Sequence, residues 1–297
     1  MSTSEPASDG ADSAAASPAA DRGTSSSLTV AGRKIELLRG GSGPPLLLLH
    51  SAGGEMEWSR FHELLGQHFT VLSPAHPGFS FSEGLDDIRT TADYAWHTLD
   101  LLDALAVHLD ETGEPELAAA VRQPVPVAGF SLGGWIAAEA AILRPQRFSH
   151  LVLTCPAGLR LEEAPYGDLF SDDLEALRSL LFFNPDDLAT VEQALPLTLQ
   201  DSRLVQWLKA REATARVAWN PYLHNPRLHE HLHRIPTPTL LLWGEHDRLI
   251  PPALAQAWLA GLPVAELRLL PEAGHMVPFE QPEAWAAAVA EFLSSPR

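Results

Sequence analysis

One cysteine, Cys155, is all that the 297 residues contain, so the chain can form no intrachain disulfide and no zinc site built from paired thiolates. A reducing compartment suits such a chain. Basic side chains are also scarce: 20 Lys and Arg stand against 38 Asp and Glu, and the formal charge of −18 repels nucleic acid and anionic lipid. Long apolar runs are missing as well. Stretches such as Leu46 to Leu49 fall far short of the roughly 20 residues that a membrane-spanning helix needs. What is present is an ordinary globular balance, 45% hydrophobic and 20% charged, in a length that suits two small domains or one large one carrying insertions.

Residues 1–27 lack apolar bulk: eight serines and seven alanines accompany a single basic side chain, Arg22. Such a segment cannot bury enough surface to fold and reads as a disordered tail. Without the basic start and apolar core of a secretory signal, and too acidic for a transit peptide, it points to a cytoplasmic protein.

From Leu28 onward short apolar runs alternate with helical patterns. Leu28 to Val30 and Lys34 to Leu38 flank Ala31-Gly32 as a hairpin. Pro45 to His50, Phe69 to Ser73, Val125 to Gly129, Ser149 to Thr154, Pro238 to Trp243 and Val264 to Leu270 read as strands buried on both faces of a parallel sheet. Helical periodicity covers Glu57 to Gln67, Thr90 to Leu109, Leu132 to Leu143, Pro252 to Ala260 and Pro282 to Leu293. Thr90 and Asp93 have capping-box spacing, and Pro252 suits a first helical turn. Strands alternating with helices predict an α/β fold with a mostly parallel, doubly wound sheet. The alternation stops between residues 156 and 232, a helical stretch without a strand that reads as an inserted cap.

The chemistry concentrates at three strand ends. After the strand Val125 to Gly129 comes Gly129-Phe130-Ser131-Leu132-Gly133-Gly134, running straight into an alanine-rich helix. A tight strand-to-helix turn of this composition exposes a serine hydroxyl, and the flanking glycines let strand and helix approach. Here the sequence resembles the α/β-hydrolase fold family. Asp247 in Gly244-Glu245-His246-Asp247 and His275 in Glu272-Ala273-Gly274-His275 follow later strands, and serine, aspartate, histidine is the order that family uses. A serine hydroxyl needs an imidazole to take its proton and a carboxylate to hold that imidazole in the useful tautomer. The resemblance makes Ser131, Asp247 and His275 the catalytic residues, with Glu245 and His246 as second choices for the acid. It also likens His50-Ser51-Ala52-Gly53-Gly54 to the family's oxyanion loop, so the amides of Ala52 and Leu132 are expected to hold the oxyanion. Ser51 replaces the usual glycine, and His76 stands where the family generally carries aspartate, in what is expected to be a structural role.

The resemblance gives a catalytic domain of residues 28–155 plus 233–297 and a cap of 156–232. It implies a cofactor-independent esterase that forms an acyl-enzyme on Ser131, acting on small, apolar substrates. Carbon–carbon bond hydrolysis, acyl transfer to another acceptor, and a non-catalytic ligand-binding role are the alternatives. Phe130 and Met276, where carbon–carbon hydrolases commonly have asparagine and tryptophan, count against the first. Phe130, Trp207, Trp219 and Tyr222 are the expected substrate-binding residues, and the apolar cap is expected to favour neutral over anionic esters. No metal is expected: His229, His231 and His233 alternate across a helical face beside the apolar Leu228, Leu232 and Ile235. Cys155 is expected to end a buried strand. The expected partner is a small-molecule substrate, with neither nucleic acid nor membrane.

Overall fold

A computed structural model of the chain describes residues 23–294. Eight strands form one sheet in the order β1-β2-β4-β3-β5-β6-β7-β8. They are β1 (Thr24–Val30), β2 (Arg33–Gly40), β3 (Pro45–Leu49), β4 (Thr70–Pro74), β5 (Val125–Phe130), β6 (Phe148–Thr154), β7 (Thr239–Gly244) and β8 (Ala265–Leu270). β1 pairs with β2, and β2 with β4, antiparallel; every other pairing is parallel. β3 and β4 are buried along their whole length, as runs such as Pro45-Leu46-Leu47-Leu48-Leu49 require of strands covered on both faces.

Two sequence expectations need correction here. Residues 24–27, assigned by composition to the tail, lie in β1, where Thr24, Ser25, Ser26 and Ser27 pair with Arg39, Leu38, Leu37 and Glu36. A ladder needs only backbone donors and acceptors, so exposed serines can complete an edge strand that Leu28 and Val30 anchor in the core. The rest of the expected tail, residues 1–22, lies outside the described residues. The other correction concerns β8, which is half exposed rather than buried on both faces. It pairs with β7 alone, and an apolar run cannot tell an edge strand from a central one.

The helices of the sheet layer are α1 (Arg60–Gly66), α2 (Thr91–Glu111), α3 (Pro115–Arg122) and α4 (Leu132–Leu143). Between β6 and β7 come α5 (Leu174–Leu181), α6 (Leu188–Ala194) and α7 (Leu204–Ala218). After β7 follow α8 (Ala253–Gly261), α9 (Val277–Glu280) and α10 (Pro282–Leu293). Thr90 and Asp93 do form a capping box at α2, and the Thr90 amide donates to Asp93 Oδ2 at 2.8 Å. Ser59 and His62 form another at α1, which starts three residues later than the periodicity implies. Trp135, Trp243, Trp258 and Trp285 are fully buried. Three of them satisfy their indole N–H groups internally, Trp135 on Glu139 Oε1, Trp243 on Ile250 O and Trp285 on Thr154 Oγ1.

The topology positions the site. From β3 the chain moves outward to β4 and then crosses back to β5 on the other side of β3, so the carboxyl ends of β3 and β5 border the place where strand order reverses. Ligand crevices of open α/β sheets form at such a point. Among the described residues no helix is long and apolar enough to cross a membrane.

Candidate active site

Ser131 joins β5 to α4 with φ 53° and ψ −111°, a strained conformation for a residue with a Cβ. The crossing is tight: a Cβ on Gly133 would lie 2.2 Å from Leu49 O, and one on Gly129 would lie 2.5 Å from Gly133 O. Glycine is therefore required at both positions. The strained turn is held by its neighbours, the Ser131 amide donating to Thr154 O at 2.8 Å and the Ser131 carbonyl accepting from Trp135 and Ala157.

Three side chains from three strand ends meet here. Ser131 Oγ lies 2.9 Å from His275 Nε2, and His275 Nδ1 lies 2.7 Å from Asp247 Oδ2. Asp247 Oδ1 accepts the amides of Leu249 and Ile250 at 2.9 and 2.8 Å, so both carboxylate oxygens are engaged by donors. This arrangement puts the imidazole proton on Nδ1 and leaves the Nε2 lone pair facing the serine hydroxyl. Glu245 and His246, the second choices for the acid, are exposed and point elsewhere; the His246 ring packs on Phe183 at 4.6 Å. Beneath the acid lies Cys155, wholly buried, its thiol pushed well above the usual thiol range by burial and by the charge of Asp247. Cys155, Asp247 and His275 have donor atoms within 4.8 Å of one another, the one grouping among the described residues with metal-ligand spacing. Its imidazole and carboxylate are already bonded to each other. His229 and His233 are exposed on two single-turn 3-10 helices, Leu228–Glu230 and Leu232–Arg234, whose buried residues are Leu228 and Leu232.

Facing Ser131 is the loop after β3. His50 Nδ1 donates to Ser51 O at 2.7 Å and its Nε2 accepts the His76 amide at 2.9 Å, a pattern that requires neutral imidazole. Burial pushes His50 below its ordinary value accordingly. His76 packs against His50, Phe79 and Tyr94, and burial, with His50 and His97 nearby, holds it well below 6.5. Where a carboxylate would bring charge into this apolar nest, a neutral ring fills space.

A cavity of about 40 Å³ opens over Ser131 and His275, room for roughly three water molecules. Leu177, Leu181, Leu195 and Met276 make its wall apolar, and Trp207 and Arg211 close it from α7. An outer chamber of about 190 Å³ adjoins it, sharing Gly53, Glu55, Ala194 and Trp207. Of the four expected substrate-binding residues, Trp207 alone lines the cavity. Phe130 packs beneath His275, ring centroids 5.4 Å apart, because the elbow turns its side chain away from the opening. Trp219 is exposed and meets Phe170 edge to face, ring centroids 5.2 Å apart. Tyr222 faces the cap's own fold, its hydroxyl donating to Gly167 O and accepting the Leu169 amide.

A model of a protein family described as the α/β hydrolase family matches residues 46–288. The chain belongs to that family. It is 26% identical over 289 residues to the 2-hydroxy-6-oxo-6-phenylhexa-2,4-dienoate hydrolase of Burkholderia cepacia, covering 88% of this chain and 92% of that one. It is 25% identical over 297 residues to the 2-hydroxymuconate semialdehyde hydrolase of Pseudomonas sp. strain CF600, covering 90% and 93%. Among solved structures, a thermophilic esterase from Thermogutta terrifontis superposes with a TM-score of 0.67 at 24% identity, covering 91% of this chain and 98% of that one. The fold is that of the α/β hydrolases.

Within this family frame, sequence reasoning missed Arg211, Thr214 and Glu55 as wall residues. Trp207, Arg211 and Thr214 share one face of α7 at helical spacing, so the period that reveals α7 could have extended the selection of Trp207 to its neighbours. Arg211 also qualifies the expectation of a purely apolar cavity. Its guanidinium stacks on Trp207 at 4.7 Å and donates to the carbonyls of Leu169 and Ser171, while burial lowers its pKa.

Proposed function

We propose that the chain is a serine hydrolase that cleaves esters of small, mainly apolar acyl groups through an acyl-enzyme on Ser131. The observation that supports this most directly is the relay from Asp247 through His275 to Ser131, with both spacings at hydrogen-bond length. Ser131 Oγ attacks the carbonyl carbon as His275 Nε2 takes its proton, and the amides of Ala52 and Leu132 receive the oxyanion. His275 then protonates the departing alcohol, and a water molecule, deprotonated by the same imidazole, releases the acid. The Leu132 amide opens α4, so it adds a helix N-terminus to the hole. No step requires a cofactor. The single cysteine favours a reducing compartment, which for this reading is the cytoplasm.

A second reading, hydrolysis of a carbon–carbon bond beside a ketone, is favoured by Arg211 in the cavity wall. A fixed guanidinium suits a substrate carboxylate. The relatives named as dienoate and semialdehyde hydrolases agree with it. The test is fluorophosphonate labelling of wild type and Ser131→Ala, then turnover of p-nitrophenyl esters of graded chain length beside a 2-hydroxy-6-oxo-dienoate. Labelling and ester turnover that vanish in Ser131→Ala support the serine mechanism. Labelling retained in Ser131→Ala defeats it. Faster turnover of the dienoate, lost in Arg211→Met, selects the second reading.

A further inference from the structure

Ser51 and Glu55 form a pair on the loop after β3 that neither the elbow nor the relay explains. Ser51 occupies the place of the glycine expected from the family pattern, and five hydrogen bonds converge on it. Its amide donates to Glu55 Oε2 at 2.8 Å, its hydroxyl donates to Glu55 Oε1, and the same hydroxyl accepts the Gly53 amide at 2.9 Å. Its carbonyl accepts from His50 Nδ1 at 2.7 Å and from the Gly54 amide at 3.2 Å. Every polar group of Ser51 is therefore engaged.

The amides of residues 51–54 can be accounted for one by one. Those of Ser51, Gly53 and Gly54 have acceptors inside the loop, and the Ala52 carbonyl accepts from Thr214 Oγ1 at 3.4 Å. Among the described residues the Ala52 amide has none, and Ala52 lines the cavity with Ser131. Glu55 lies close across the loop: a Cβ at Gly53 would come within 2.5 Å of Glu55 Oε1. A carboxylate beside a developing oxyanion opposes it electrostatically, so its presence at this wall calls for a compensating role.

We propose that Glu55 is a positioning residue for the oxyanion hole, acting through Ser51 to fix the peptide that carries the Ala52 amide. A glycine at position 51 would leave that peptide several accessible conformations, whereas serine gripped by a two-pronged acceptor leaves one. Both carboxylate oxygens are turned onto donors of the loop, which draws their charge away from the reacting carbonyl. This inference rests on the serine-hydrolase reading above.

The experiment compares Glu55→Ala, Glu55→Gln, Ser51→Ala and the Ser51→Ala/Glu55→Ala double variant. It measures kcat and KM on p-nitrophenyl acetate, affinity for a trifluoromethyl ketone, fluorophosphonate labelling and the melting temperature. Removing one oxyanion donor costs about 100- to 1000-fold, and a displaced donor should cost less. Glu55→Ala is expected to lower kcat and ketone affinity roughly 10- to 100-fold with KM within about twofold. Glu55→Gln should restore most of the loss, because its amide can still meet the Ser51 amide and hydroxyl. The double variant should be little worse than either single one. Unchanged kcat in Glu55→Ala, or a fall in kcat without loss of ketone affinity, overturns the inference while labelling at Ser131 leaves the mechanism standing. Failure of the wild type to label overturns both. Should Glu55→Ala not fold, Ser51→Ala and Glu55→Gln decide by the same kcat and ketone criteria.

Discussion

At the scale of single residues, the relay makes unequal demands on its members. Asp247→Asn keeps shape and volume but can present an N–H to His275, which turns the imidazole to the wrong tautomer. A fall of about four orders of magnitude in kcat is expected, with the melting temperature little changed. Steady-state kinetics on a p-nitrophenyl ester checks this, and a larger loss in Glu245→Gln would move the acid to Glu245. The three relay residues were legible because each sits at a strand end in an order the motif prescribes, and chemistry limits the residue types that can serve there. Trp219 and Tyr222 were misplaced because aromatic bulk in a helical segment is equally consistent with the cap's own packing. Only the three-dimensional arrangement, Tyr222 on Gly167 and Trp219 on Phe170, separates the two. Phe130 was misplaced because the elbow rotates its ring under His275 rather than over Ser131.

At the scale of elements, the loop carrying His275 is fastened to the end of α5. The amides of His275 and Met276 donate to Leu181 O at 2.8 and 3.2 Å, and Glu280 on α9 ties two loops, accepting from Phe183 N at 2.6 Å and Gly274 N at 2.8 Å. Removing that carboxylate leaves two amides without their acceptor, at about 1–3 kcal/mol each if they stay dry. Glu280→Ala should therefore lower stability by about 2–6 kcal/mol and kcat along with it, whereas Glu280→Gln should be milder. Chemical denaturation of both variants tests this, and an unchanged midpoint for Glu280→Ala refutes it. Elements with strong periodicity, α2, α4 and α10, were readable from the sequence within one or two residues. α3 was not, since eight residues opening on Pro115 carry too little pattern to separate from a loop. The first four residues of β1 were not, because ladder pairing leaves no mark on side-chain polarity.

For the whole molecule, stability should depend on pH through buried imidazoles. Burial lowers His62 to about 3 and His97 to about 4, and both ring nitrogens of His97 lack a hydrogen-bond partner among the described residues. Between those values and 6.5 the unfolded chain binds protons that the folded one refuses, so stability falls as pH drops below about 6.5 and is level above it. Each such group forfeits up to about 1.4 kcal/mol per pH unit in that window. Glu139 and Glu280, raised by burial, act in the opposite sense just above the ordinary carboxylate range, and the buried histidines outnumber them. His97→Phe should raise the melting temperature at pH 5 more than at pH 7.5, and equal shifts at both would refute the assignment. The lone thiol under Asp247 supplies a clock for opening of the structure around it. Cys155 is sealed and protonated while the site is closed, so a disulfide reagent can react with it only during the intervals when the floor of the cavity comes apart. Its rate of modification, one event per chain, thus converts the fluctuation of the candidate site into a colour change.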